Sequence, residues 1–119
     1  MTTANKQVMR DYIEQVVNTG NLPAMDRFVS ADIIDHDNTS GSPQGIEAYK
    51  AHLAAVHHTY GQFHLTIEDQ FSDGEYVITR ITATGIHQNK WLGLSATRAK
   101  IILTGINIDR IQGGMITEH

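Results

Sequence analysis

The stretch Thr104-Gly-Ile-Asn-Ile-Asp-Arg-Ile-Gln-Gly-Gly-Met-Ile-Thr-Glu-His119 decides how this chain is read. A β-branched run leads into Gly113-Gly114 and resumes after it, the pattern of two strands joined by a tight turn. Side chains alternate along a strand, so Asn107 and Asp109 occupy one face and Ile106 and Ile108 the other. Both faces then need cover. An amide and a carboxylate on a doubly covered strand either line a polar pocket or leave a buried polar cost uncompensated.

Register decides what meets them. A two-residue Gly113-Gly114 loop sets Asp109 across from Glu118, two like charges. A three-residue loop that includes Gln112 sets Asn107 across from His119 and Asp109 across from Thr117. A slip of one residue also exchanges the faces, so both registers stay open at this point.

Working outward, helical spacing of Val8, Met9, Tyr12, Ile13, Val16 and Val17 predicts an amphipathic helix with Thr3 as a possible cap and Gly20 as its stop. Asn21 and Pro23 open a short second helix, and Asp32 to Asp37 reads as a short strand. Residues 38–45 form a loop in which Ser42-Pro43 begins a third helix, burying Ile46, Tyr49, Leu53 and Val56. From Phe63 the period changes to two, with a hairpin turn at Ser72-Asp73-Gly74, a long strand from Tyr76 to His87 bending at Gly85, and a connection over 88–98. Helices first and antiparallel strands afterwards predict an α+β domain spanning 1–119, with three N-terminal helices packed on a curved sheet.

Composition removes several function classes. The 119 residues carry 13 acidic and 9 basic side chains, a net charge of -4 with no run of like charge, which argues against a nucleic-acid partner. The absence of cysteine excludes disulfides and thiolate chemistry. His57-His58 does not read as a metal site, because adjacent helical residues diverge, and His52 completes no H-x-x-x-H spacing; no metal or other cofactor is expected. Without a signal-like N-terminus or a membrane-length apolar run, the expectation is a soluble, cytoplasmic protein that does not enter a membrane.

The order of elements carries a resemblance. Asn18-Thr-Gly-Asn21, Asp35-His36-Asp37, Gly45-Ile-Glu-Ala48, Thr82-Ala-Thr-Gly85, Trp91-Leu-Gly-Leu94 and the closing hairpin together resemble the SnoaL-like polyketide cyclases of the nuclear transport factor 2-like superfamily. The resemblance implies a cone-shaped α+β fold and a cofactor-free enzyme closing a ring by intramolecular aldol chemistry. It sets Asn107 where the cyclases keep a polar cavity residue and Asp35 where they keep an asparagine. Their acid/base aspartate falls two positions beyond the residue matching His119, past the last residue of this sequence.

The candidate catalytic residues are Asp109, Asn107 and His119. A carboxylate in an apolar pocket is a stronger base than one in water, which makes Asp109 a candidate proton acceptor. The alternative is a solvent-facing Asp109 or an ion pair with Arg80. Tyr12, Asp35, His36, His87 and Trp91 are candidate substrate contacts: Tyr12 through its hydroxyl, His36 only if it points inward, His87 at the pocket rim and Trp91 as a roof over it. The expected ligand is a small hydrophobic or polycyclic molecule undergoing cyclisation or isomerisation. A non-catalytic binding or dimerisation module is the second reading, and epoxide hydrolysis by Asp109 with Arg80 the third. Ile102, Ile106 and Ile108 on the outer face predict a homodimer.

Overall fold

A computed structural model describes residues 2–37, 44–89 and 95–119. The expected cap at Ser42-Pro43 and the segment Trp91-Leu-Gly-Leu94 lie outside the described residues. Helix α1 spans Thr2–Tyr12, so Thr3 lies within it, and it continues into a π-helical turn, Ile13–Val17, closed by the Asn18 N–H on the Ile13 carbonyl at 2.9 Å. The wider turn keeps Ile13, Val16 and Val17 buried. A 3₁₀ helix follows over Leu22–Arg27, where the Asn21 side chain accepts from the Ala24 N–H as the sequence suggests.

Strand β1 is Val29–Ile34, earlier than the expected 32–37, and Asp35-His36-Asp37 form its exit. Helix α2 covers Ile46–Thr59, β2 Tyr60–Asp73, β3 Tyr76–His87, β4 Lys100–Gln112 and β5 Met115–Glu118. The β2–β3 turn is Gly74-Glu75, one step later than expected, because Asp73 pairs with Tyr76. The sheet order is β1-β5-β4-β3-β2, antiparallel except for the β1–β5 pair. It is a five-stranded curved sheet with α1, the 3₁₀ helix and α2 on one face, the expected class.

Gly85 marks a close approach: a Cβ there would meet Tyr60 Cβ at 3.1 Å. The ladder irregularity lies opposite, between Gly61 and His64, where Gln62 takes φ 53°. The core joins Met9, Val16 and Met25 to Val29, Val77 and Ile116 across the helix–sheet interface. Each fully enclosed Val or Ile contributes roughly 1.5–3 kcal/mol relative to exposure. Asn18 ties the helical layer to β2, donating to the Leu65 carbonyl at 3.0 Å and accepting its N–H at 2.7 Å. Among the described residues no helix is long and apolar enough to cross a membrane.

Candidate active site

The closing hairpin starts in the two-residue register and then slips into a third pairing that neither register left open by the sequence contains. Gly113 and Gly114 both take positive φ, 58° and 79°, and form the two-residue loop that glycine permits, so Gln112 faces Met115 and Ile111 faces Ile116. The register then shifts by one residue, and Arg110 faces Glu118. This bulge at Thr117 changes which polar groups meet. Glu118 pairs with Arg110 at 3.0 Å and His36 at 2.9 Å instead of opposing Asp109. The His36 hydrogen bond first, and Arg110 with it, holds the Glu118 carboxyl below its ordinary range.

Asp109 meets His119. An ionised carboxylate only accepts, so His119 Nδ1–H donates to Asp109 Oδ1, at 2.7 Å. His119 is locked along its backbone as well: its N–H reaches the Ile34 carbonyl at 2.9 Å and its carbonyl accepts the His36 N–H at 2.7 Å. Its ring stands edge-on to Tyr49, centroids 5.7 Å apart, and Nε2 lies 3.2 Å from Asp37 Oδ2. Asp109 is 1% exposed, and its Oδ2 has no hydrogen-bond partner among the described residues. It is neither solvent-facing nor paired with Arg80, which lies outside and binds Asp69 at 2.6 Å. That removes the Asp109–Arg80 pair on which the epoxide-hydrolase reading depends.

Burial works against a charged imidazole at His119, but the Asp109 hydrogen bond and charge, with Asp37 and Asp35 behind them, outweigh it and hold the pKa above 6.5. Burial raises the Tyr12 phenol well above its usual range, and the nearby Asp109 charge adds to this. Tyr49 is raised for the same leading reason. Both stay neutral hydroxyls at physiological pH.

These groups sit at one end of a cavity of about 840 Å³ between the helices and the inner sheet face. Its apolar walls come from Met9, Ile13 and Val17 of α1 and its π turn, Leu53 and Val56 of α2, and Phe63 and Leu65 of β2. Of the residues singled out from sequence, Tyr12, Asp35, Asn107, Asp109 and His119 line it. His36 does not: it is 65% exposed on its side chain and points at Glu118, because the chain has left the strand. His87 is buried away from the cavity lining, its Nδ1 3.2 Å from Thr97 Oγ1, which corrects the rim position expected for it. Trp91 lies outside the described residues.

Sequence reasoning missed Tyr49 and His52 as lining residues and left Asp37 unassigned. Tyr49 was legible only as one member of the buried α2 stripe; its hydroxyl was the available signal. Asp35, Asp37 and His119 present ligand atoms within 4.8 Å of one another, a grouping that depends on the exit path of β1.

A five-stranded curved sheet backed by helices, with an apolar chamber ending in a buried Asp–His pair, defines a small α+β chamber protein. The SnoaL-like polyketide cyclase family matches residues 6–119, and the chain belongs to that family. A search of the curated proteins finds no match to this sequence. Among solved structures it is similar to TsrD from Streptomyces laurentii, with a TM-score of 0.87 and 21% identity over 98% of this chain and 85% of that one. Wild-type IdmH from Streptomyces antibioticus, described as a candidate polyketide cyclase, gives 0.83 and 21%, covering 96% of this chain and 87% of IdmH. AclR from Streptomyces galilaeus, described as a candidate hydroxylase, gives 0.83 and 19%, covering 100% and 87%. At these identities the likeness is one of fold.

Proposed function

We propose that this protein binds a small, largely apolar carbonyl compound and moves a proton at the carbon beside its carbonyl, leading to ring closure or isomerisation. The observation that carries the reading is the enclosed Asp109 with one oxygen on His119 Nδ1, at the polar end of a chamber whose walls are largely apolar. Both Asp109 and His119 serve the proton transfer, with the roles divided by access. Asp109 is sealed in, so it orients the imidazole and stabilises its charged form. His119, the more accessible partner, takes the α-proton in its neutral form, and its raised basicity suits that task. The enolate oxygen is met by the Asn107 amide, which lines the same chamber. In ring closure the enolate carbon attacks a second carbonyl of the same molecule, and the proton held on His119 returns to the new alkoxide. No redox partner is required.

A direct test uses tetralone, an apolar bicyclic ketone, in heavy water. The protein should accelerate exchange of the α-protons followed by NMR, while Asp109→Asn and His119→Gln should not. Exchange no faster than buffer, or equal in all three proteins, contradicts the proposal. A ligand that co-purifies and is never converted would favour the non-catalytic binding reading instead.

The outer sheet face supports a homodimer. Ile102, Ile106 and Ile108 are 64%, 66% and 57% exposed, and Ile108 with Ile78 beside it leads to exposed Phe71, an apolar strip across three strands interrupted at Ile106 by the Arg80–Asp69 pair. Sedimentation at micromolar concentration should give twice the chain mass; a monomer there would rule it out.

A further inference from the structure

The charges facing the chamber do not balance. Asp35, Asp37 and Asp109 stand at its polar end, whereas the basic lining groups are His52 and His119. Glu47 also reaches the lining, with Lys50 3.5 Å from its carboxylate. No lysine or arginine lines the chamber among the described residues; Lys50 also binds Asp26, Arg80 binds Asp69, and Arg110 binds Glu75 and Glu118. Carboxylates at the polar end outnumber cations even with both histidines protonated. His119 is divided between Asp109 and Asp37, and Asp109 Oδ2 is buried without a partner among the described residues. Low-dielectric walls strengthen such a field within a cleft.

We infer that the chamber selects ligands bearing a protonated amine on an apolar body, the ammonium seated between Asp35 and Asp37. This deepens the reading of the cavity as the ligand site and rests on it. Oxygens of these two carboxylates lie within 4.8 Å of each other, a spacing that one ammonium with its three donors bridges. Asp35 Oδ1 accepts the Asp37 N–H at 3.0 Å, which fixes the pair, and among the described residues the other Asp35 oxygen has no side-chain partner. The apolar wall of Leu53, Phe63 and Leu65 needs a hydrophobic body to cover it, which a bare cation lacks. Free carboxylic acids and phosphate-bearing molecules meet like charge and, among the described residues, no cationic side chain but histidine.

Calorimetric titration with three probes of one shape tests this: naphthylmethylamine, naphthylmethanol and naphthoate. The amine should bind about tenfold tighter than the alcohol, the scale of one charge-assisted contact, and naphthoate weakest. Raising salt, or combining Asp35→Asn with Asp37→Asn, should narrow the amine's advantage. Equal binding of amine and alcohol, or naphthoate as tight as either, overturns the inference while leaving the apolar chamber a ligand site. Failure of all three to bind overturns both.

Discussion

On the inner side of β4, Asp109 is 1% exposed; on the outer side its neighbour Ile108 is 57% exposed and Ile106 is 66% exposed. A strand shaped by its own stability alone would do the reverse, burying isoleucine and presenting aspartate to water. The inversion teaches that neither face answers to folding alone. The inner face holds a charge that only a partner makes tolerable, His119 through a 2.7 Å hydrogen bond. The outer face holds apolar area that only a covering surface makes useful.

The comparison breaks most sharply at the inner face. Asp109→Asn keeps the shape but removes the charge that stabilises a protonated His119, and α-proton exchange of tetralone should fall by roughly 100-fold or more, on the scale of general acid–base catalysis. A variant with near-normal exchange would sever the link between the buried carboxylate and chemistry. At the outer face, combining Ile106→Lys with Ile108→Lys should convert the predicted dimer to a monomer by sedimentation. The urea midpoint measured on the monomer should differ little from that of wild type, because exposed positions contribute little to the fold.

Stability should carry the mark of the pair in its pH dependence. The His119 pKa is raised in the folded protein above its ordinary 6.5, so the folded state binds the proton more tightly than the unfolded chain. The stability gained is fully present below pH 6.5 and is lost as pH rises through the folded pKa. Urea unfolding of wild type against His119→Gln should show a gap that is widest on the acid side and shrinks as pH rises. A gap that widens with pH would contradict the assignment. The smallest effect belongs to Arg80→Ala, which removes an exposed pair with Asp69 far from the chamber lining and should leave exchange unaltered.

Much of this was legible from residue patterns. The period-two alternation of Phe63, Leu65 and Ile67, the apolar stripe of α1 and the Asn21 cap all appear as read, because each is set by local periodicity or a local hydrogen bond. The division of β4 into a polar and an isoleucine face was also legible. The partner of Asp109 was not. It depends on the one-residue shift near Thr117, and no periodicity announces a bulge. The bounds of β1 were misread for a related reason: it ends at Ile34, so the directions of Asp35, His36 and Asp37 follow the exit of the chain and the backbone bonds to His119. His87 looked like a rim residue from its place at a strand end, yet its parity on β3 buries it.

The central claim, that Asp109 sets the protonation of His119, can be measured without knowing the substrate. NMR titration of the histidine ring protons, assigned by His119→Gln, should give His119 a pKa above 6.5 in the wild type and a lower one in Asp109→Asn. The same His119 pKa in both proteins would contradict the account.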